Sequence, residues 1–545
     1  MKKVFYRVSA IAVSMALLMC GCRAVKTTVC IADPSSSRQT HPYESSVSTT
    51  TVVATAANDG SYLYEKAISE AMDYELNPFH NTEEYSYIKE NGFLSTLTNP
   101  LSTFSADVDT ASYANVRRMI NSSVNVPADA VRIEEFLNYF NYDYKLPDPG
   151  EPFGITVEMA DCPWNSDNRL LLIGLKTQNI DLDNRPASNF VFLLDVSGSM
   201  YYYDKLPLMQ KAFSMLTEEL TENDRVSIVT YAGAESVVLE GAKGSDCLTI
   251  TNALESLTAG GSTAGEAGIR KAYEIARKYY IEGGNNRIIL ATDGDLNVGV
   301  SSEGELTRLV SEKRESGIYL SVLGFGTGNI KDNKMEALAD NGNGNYSYID
   351  SIFEAKKVLV NEMGGTFYTV AKDVKIQVEF NPAKVSGYRL IGYENRLLAD
   401  HEFHDDTVDA GEIGAGHTVT AVYELTLPDN AQAAAAPTLK YQTGTLIESD
   451  DLLNIAIRYK APGSNTSTLT EHAVPYAVYS KRMPDNLKFA SCVIEFGMLL
   501  RESKYMGSSS YASILAMLDE LASYVTEDAY KNEFRTLVEA VRDLQ

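Results

Sequence analysis

The chain has 545 residues, of which 44% are hydrophobic and 22% are charged, and this composition excludes a wholly disordered protein. Its length is about four times that of a common domain, so we expect several domains. With 47 Lys and Arg residues against 73 Asp and Glu residues, the net charge is −26. A chain this acidic repels phosphate backbones, so nucleic acid is not expected as a partner.

The start of the chain has the pattern of an export signal. Three basic residues precede an apolar run over 8–19, which is too short to span a bilayer. This run leads into Leu-Leu-Met-Cys-Gly-Cys at 17–22, which resembles a bacterial lipobox, where a small residue precedes the cysteine that is acylated. Gly21 before Cys22 fits this pattern better than the Met before Cys20. We expect an exported protein held at the cell membrane by lipid on Cys22; the alternative is an ordinary cleaved signal.

The segment after the signal is expected to be a linker. Residues 23–62 are rich in Ser, Thr and Ala and show little apolar periodicity, as in a flexible stalk. We therefore assign a lipoprotein signal peptide to 1–21 and a Ser/Thr-rich linker to 22–65.

Three cysteines follow the linker, and their wide spacing fits no zinc site. Cys492 falls on the apolar face of a predicted helix, where it is expected to be a small core residue. The sequence leaves open whether Cys162 and Cys247 are joined by a disulfide.

The middle of the chain alternates between short apolar runs and helical patterns. Phe190–Leu194 is continuously apolar, as expected for a strand buried on both faces, and Arg225–Tyr231 and Ile318–Leu323 are further strands. Between the first two of these strands, apolar residues recur at helical spacing over 209–220. This alternation predicts a doubly wound, mostly parallel sheet with helices on both faces over 188–371.

The flanks of this region have a different pattern. Residues 151–187 and 372–460 contain alternating and β-branched runs, which are typical of antiparallel strands. Because these two segments bracket 188–371, we predict that they pair in one β-sandwich, into which the α/β domain is inserted. Helical spacing returns near the end of the chain, so 461–545 is expected to form a small helical unit.

The most informative residues lie where two predicted strands end. Asp195, Ser197 and Ser199 follow the first buried strand, and their alternate spacing places them on one side of the loop. Asp293 ends another strand in the same way, and Thr263 opens a predicted helix. Ligands bind at the carboxyl ends of the strands in an open α/β sheet. Carboxylates and hydroxyls are hard oxygen donors, and together they predict a site for a divalent cation such as Mg²⁺.

These motifs resemble the von Willebrand factor type A domain with its metal-ion-dependent adhesion site. In that family, the Asp and both Ser of D-x-S-x-S, an isolated Thr and the Asp of T-D-G surround one divalent cation. The resemblance assigns these places to Asp195, Ser197, Ser199, Thr263 and Asp293, and none of the five departs from the pattern. It implies Mg²⁺ or Mn²⁺ as the bound metal, with a position left for an Asp or Glu carboxylate of a protein partner.

Three further segments, 100–113, 392–396 and 409–417, resemble the YfbK-like bacterial lipoproteins. This resemblance covers nearly the whole chain after the linker. It implies an N-terminal segment of its own over 66–150, a central type A domain, and a C-terminal domain of unknown function over 372–545.

Residues next to the predicted metal site form a candidate ligand rim. Tyr201, Tyr202 and Tyr203 follow the metal loop immediately, and exposed tyrosines favour interfaces. Alternatively, one or two of these rings pack under the loop. Asp295, close to the predicted ligand Asp293, is assigned to the same rim.

Two classes of function compete for this sequence. The expected one is a lipid-anchored binding module without catalytic residues, whose cation captures a carboxylate from a protein partner in the cell envelope. The main alternative is a metal-assisted hydrolase, in which the cation and a general base activate water. A purely structural envelope protein is a third hypothesis. The intact set of predicted metal ligands argues against it, because such a protein would need none.

Overall fold

The structure is a computed structural model that describes five stretches of the chain. These stretches are residues 81–181, 184–262, 265–294, 303–428 and 447–544. They belong to one unit, Ala67–Gln545. The predicted signal peptide and linker, including Cys22, and the predicted site residues Thr263 and Asp295 lie outside the described residues.

Three sheets organise the described residues. In chain order the strands are β1 (Leu94–Ser95), β2 (Leu101–Ser105), β3 (Phe153–Asp161), β4 (Asn168–Thr177), β5 (Ser188–Asp195), β6 (Arg225–Tyr231), β7 (Glu235–Lys243), β8 (Asn285–Thr292), β9 (Ile318–Phe325), β10 (Tyr346–Ile349), β11 (Thr369–Phe380), β12 (Gly387–Ile391), β13 (Gly411–Gly414), β14 (Thr418–Thr426), β15 (Asp451–Lys460) and β16 (Ser467–Pro475). The first sheet has the order β1-β12-β14-β4-β3 and the second the order β10-β9-β8-β5-β6-β7. The third has the order β13-β11-β15-β16, and β2 also pairs with β11.

Helices precede, surround and follow these sheets. In chain order they are α1 (Ala111–Asn121), α2 (Ile133–Asn138), α3 (Leu206–Glu218), α4 (Cys247–Glu255), α5 (Gly265–Lys278), α6 (Glu303–Arg314), α7 (Asp332–Asn341), α8 (Ile352–Lys356), α9 (Met363–Phe367), α10 (Asp485–Leu500), α11 (Tyr511–Glu520), α12 (Ala522–Thr526) and α13 (Ala529–Leu544). Among the described residues, none of these helices combines the length and the apolar character needed to cross a membrane.

The second sheet confirms the predicted doubly wound α/β domain. Its central strand β5 runs parallel to its neighbours β6 and β8, and only the edge strand β7 is antiparallel. Phe190, Phe192 and Leu194 of β5 pack against α3, α4 and α8 on one face. Val191 and Leu193 pack against α5, α6 and α7 on the other face. The strand is continuously apolar because both of its faces are covered.

The first and third sheets form the predicted β-sandwich. Side chains from both sheets share one buried core. Phe380 of β11 contacts two rings of the opposite sheet, stacking on Tyr388 at 4.3 Å between centroids and meeting Tyr423 edge-on at 5.2 Å. The sandwich is therefore closed by aromatic side chains that interlock across the two sheets.

The α/β domain is inserted in this sandwich, as predicted. Strand β4 ends before the domain begins, whereas β14 follows the domain, yet the two pair antiparallel from Asn168↔Thr426 to Lys176↔Thr418. The sandwich extends further along the chain than the segments 151–187 and 372–460. Its strand β2 lies before residue 151, and β16 lies after residue 460.

The N-terminal segment and the C-terminal helices form one helical layer. Phe140, which follows α2, contacts Phe489 of α10 at 5.0 Å and Phe534 of α13 at 5.5 Å between ring centroids. The predicted C-terminal helical unit is thus present, and it shares its core with residues that precede the sandwich.

The three described cysteines are free thiols. Cys162 and Cys492 are buried, whereas Cys247 is only partly buried. Cys162 and Cys247, whose pairing the sequence left open, are therefore not joined by a disulfide.

Candidate metal centre

Two buried carboxylates meet at one edge of the α/β sheet. Asp195 is the last residue of β5, and Asp293 follows the last residue of β8. Because β5 and β8 are adjacent parallel strands, their carboxyl ends lie side by side, and both carboxylates are almost fully buried. The strand ends thus place the predicted acidic ligands in the crevice where an α/β sheet binds ligands.

The Asp195 carboxylate is held in a fixed orientation by two donors. Its Oδ1 accepts a hydrogen bond from the backbone N–H of Ser197 at 2.9 Å, and its Oδ2 accepts one from the Thr292 hydroxyl at 3.0 Å. The Ser197 and Ser199 hydroxyl oxygens lie 3.0 Å apart. The D-x-S-x-S loop therefore brings its carboxylate and both hydroxyls to one place, as the sequence predicts.

A glycine-rich turn supports this loop from the side. The backbone N–H of Gly198 donates to the carbonyl of Gly261 at 3.0 Å, and that of Gly260 donates to the carbonyl of Val196 at 2.8 Å. Gly261 has a φ of +86°, and a Cβ atom there would lie 3.2 Å from the backbone nitrogen of Gly233. Glycine at this position permits the close approach of the two loops.

Two acidic side chains lie close together in this site, and each affects the charge of the other. Burial, reinforced by the neighbouring negative charge of Asp293, raises the pKa of Asp195 to about 6, against the hydrogen bonds from Ser197 and Thr292. A divalent cation would relieve this repulsion.

The described side chains suit a hard cation. The donors are carboxylate and hydroxyl oxygens, which Mg²⁺ prefers. Among the described residues, no three or more His, Cys, Asp and Glu side chains are grouped so that they could hold a metal ion. The two serine hydroxyls add oxygen donors to the two carboxylates. A cation held by Asp195, Ser197, Ser199 and Asp293 would offer an electrophilic position to an external carboxylate.

Lys205 is a charged member of this site that the motifs do not reveal. Its ammonium donates to Oδ2 of Asp293 at 2.8 Å, and both side chains are buried. The side chain reaches Asp293 by crossing Gly326, where a Cβ atom would lie 2.2 Å from Cγ of Lys205. The ion pair joins residues 88 positions apart in the chain, so no local pattern predicts it.

The three tyrosines after the predicted metal loop differ in how far they are exposed to solvent. Tyr203 is 86% exposed and Tyr201 is 50% exposed, so both rings are available at the rim. Tyr202 is half-buried, and its ring centroid lies 5.6 Å from the Lys205 ammonium. Next to the rim is a cavity of about 290 Å³, whose lining includes Tyr203, Arg118 of α1 and Tyr348 of β10.

Comparison with solved structures finds several chains with partial similarity to this one. A von Willebrand factor type A protein from Catenulispora acidiphila aligns with a TM-score of 0.40 and 15% identity, covering 65% of this chain and 81% of that one. The ArnB paralog VWA2 from Sulfolobus acidocaldarius aligns with a TM-score of 0.36 and 14% identity, covering 72% of this chain and 98% of that one.

Family models and related proteins identify the domains and the family of this sequence. Residues 79–172 match a von Willebrand factor model, 189–362 the von Willebrand factor type A domain, and 365–544 the model described as "Uncharacterized protein YfbK, C-terminal". The "Uncharacterized protein YfbK" of Escherichia coli is 42% identical over 487 residues, covering 87% of this chain and 84% of that protein. The "Uncharacterized protein sll0103" of a Synechocystis species is 30% identical over 192 residues, covering 35% of this chain and 44% of that protein. The chain therefore belongs to the YfbK family and carries a von Willebrand factor type A domain.

Proposed function

We propose that this protein is an exported, lipid-anchored component of the cell envelope that binds a protein partner through a divalent cation. Asp195, Ser197, Ser199, Thr263 and Asp293 would hold Mg²⁺ or Mn²⁺, and a partner's Asp or Glu carboxylate would complete the coordination. The observation that carries the proposal is the convergence of two buried carboxylates and two serine hydroxyls at the carboxyl ends of β5 and β8.

The contacts of the two carboxylates favour binding over hydrolysis. Among the described residues, the groups that contact these carboxylates include the Ser197 amide, the Thr292 hydroxyl, the Lys205 ammonium and the Asn329 side-chain amide. A metal-assisted hydrolase needs a general base that can take a proton from the attacking water. All four groups donate hydrogen bonds to the carboxylates and so hold them in place for a cation. Binding needs only this arrangement, whereas hydrolysis would also need a base beside the metal ligands, so binding is the better supported function.

Removal of Asp195 tests the metal site. Because Asp195→Ala removes a buried carboxylate at the centre of the donor set, we expect it to abolish Mg²⁺ and Mn²⁺ binding measured by titration calorimetry. The fold should survive, since the ligands lie at the sheet edge and the core lies in the strands behind them. Circular dichroism checks the fold, and Asp246→Ala, which removes an exposed carboxylate of the same domain, is the matched control. Equal metal affinity in wild type and Asp195→Ala would remove Asp195 from the site.

Partner capture tests the role of the metal in binding. Crosslinking and pull-down from native envelopes should recover a partner in Mg²⁺ but not in EDTA, and Asp195→Ala should recover none in either. A partner held equally well in EDTA would contradict the metal-dependent mechanism.

Metabolic labelling with a palmitate analogue tests the anchor. Since Gly21 provides the small residue before Cys22, Cys22→Ala should lose the label and leave an unprocessed or untethered chain, whereas Cys20→Ala should keep it. Label that persists in Cys22→Ala and disappears in Cys20→Ala would assign the lipid to Cys20 instead.

A further inference from the structure

The feature behind this inference is the buried ion pair between Lys205 and Asp293. The lysine ammonium lies 2.8 Å from Oδ2 of Asp293, and both side chains are shielded from solvent. Lys205 directly precedes α3, and its stem lies against Gly326 at the end of β9. The Lys205 ammonium is thus held in place between elements of the α/β domain.

Charge counting shows what this lysine does to the site. Within the set formed by the two proposed acidic ligands and the ammonium that donates to one of them, Asp195 and Asp293 bring two negative charges and Lys205 cancels one. Asp204, which also interacts with Lys205, is an acid outside this set. A divalent cation then turns the remaining single negative charge into a single positive charge. Without the lysine, the same cation would leave a neutral centre. An uncompensated charge is costly in a buried place, so the loaded site needs an anion from outside.

We propose that Lys205 is a specificity-determining residue, which makes cation binding depend on an anionic ligand and so selects partners that present a carboxylate. The inference rests on the proposed function, because it concerns the same metal site. The Lys205 ammonium does not bind the metal, but it determines the charge that the partner must supply. By thermodynamic linkage, a carboxylate that binds the loaded site must raise the affinity of the site for its cation.

Calorimetry with Mn²⁺, with and without acetate at constant ionic strength, tests the proposal. In wild type, acetate should raise the Mn²⁺ affinity about fivefold or more, within the usual range of coupling between sites. Lys205→Met should bind Mn²⁺ about tenfold or more tightly without acetate, because a positive charge close to the metal is gone. It should also lose the acetate effect. Lys211→Met, which removes an exposed lysine from α3, is the matched control and should behave as wild type.

A second variant separates charge from positioning. Lys205→Gln removes the charge but keeps a hydrogen-bond donor, so it should behave like Lys205→Met. Loss of Mn²⁺ binding in both variants, with the fold intact by circular dichroism, would show that the lysine positions Asp293 and would overturn the proposal. Unchanged affinity and acetate effect in both would also overturn it.

The wild-type protein alone provides a test that needs no variant. If wild type binds Mn²⁺ and acetate leaves the affinity unchanged, the inference fails while the metal site stands. If wild type binds no Mn²⁺ under either condition, the proposed function itself fails.

Discussion

At the scale of single residues, His417 shows what burial does to an ionisable group. It lies between β13 and β14, and its ring covers Gly365, where a Cβ atom would lie 2.0 Å from Cδ2 of the histidine. Its Nδ1 is buried and has no hydrogen-bond partner among the described residues. Burial lowers the pKa of His417 from 6.5 to about 4, although the carboxylate of Glu362 opposes this shift. The ring is therefore neutral in the folded protein at neutral pH.

This shift predicts a pH dependence of stability. The pKa of His417 is lower in the folded state than in the unfolded chain. The neutral ring therefore makes its full contribution to the free energy of unfolding above pH 6.5, and this contribution is lost as the pH falls toward 4. The loss over this window is about 3 kcal/mol. We therefore expect the free energy of unfolding in urea to fall between pH 7 and pH 4.5 by about 2–3 kcal/mol less in His417→Gln than in wild type. His472→Gln, at an exposed position of β16, should follow wild type. Parallel losses in wild type and His417→Gln would contradict the prediction.

The residues of the metal site differ in how far the sequence reveals them. Asp195 and Asp293 can be predicted because the first ends and the second directly follows a strand with a continuous apolar run, and Ser197 and Ser199 follow Asp195 in the same loop. Lys205 cannot be predicted in this way, since its partner Asp293 follows a strand that is distant in the chain, and no local pattern links the two residues. Long-range ion pairs are a product of the tertiary fold, so only the structure reveals them.

At the scale of elements, the pairing of β4 with β14 links two parts of the chain that the α/β domain separates. Isolated residues 188–368 should nevertheless fold, because their sheet and its helices form nearly all of two cores, to which other described segments add only Ala111, Ala114 and Ala415 as buried residues. Isolated residues 369–475 should not, because β14 would lose β4 and β11 would lose β2. Circular dichroism during heating should show a cooperative transition only for the first fragment.

A matched control keeps residues 81–545 and replaces 188–367 by a short Gly-Ser linker. This chain retains β2, β4, β11 and β14, so a cooperative transition should return. A cooperative transition in isolated 369–475 would refute the need for the earlier strands.

Strands differ in how clearly their sequences predict them. The strands buried on both faces in the α/β domain have unbroken apolar runs and are readily recognised. Strand β2 reads Leu-Ser-Thr-Phe-Ser, and its polar residues are tolerated in the sandwich because they find partners there. The Ser102 hydroxyl accepts a hydrogen bond from the Tyr423 hydroxyl at 3.0 Å, and the Thr103 hydroxyl donates to Asp400 at 2.9 Å. Strand β16 is an exposed edge strand, so burial imposes little pattern on it.

At the scale of the whole molecule, Arg396 joins three parts of the chain. Its guanidinium lies 3.1 Å from Asp109 of the N-terminal segment, 2.7 Å from Asp340 and 3.3 Å from Glu336 of α7. Arg396 itself lies in the loop after β12 of the sandwich. Asp109 also accepts a hydrogen bond from the backbone N–H of Tyr346 at 2.8 Å, which ties the edge of the α/β sheet to the same cluster. The N-terminal segment is therefore fixed to both the sandwich and the α/β domain.

The insertion also has a mechanical consequence. The chain enters the α/β domain at Ser188 and leaves it near Tyr368, and the hydroxyls of these two residues lie 2.8 Å apart. Asp195 and Asp293 lie at the opposite ends of the same parallel strands. In the proposed complex, tension applied by a partner at the metal site would cross the whole sheet and divide between two covalent connections, each continuing into a strand of the sandwich. A domain at the end of a chain would hang from one connection, whereas this one is tethered twice.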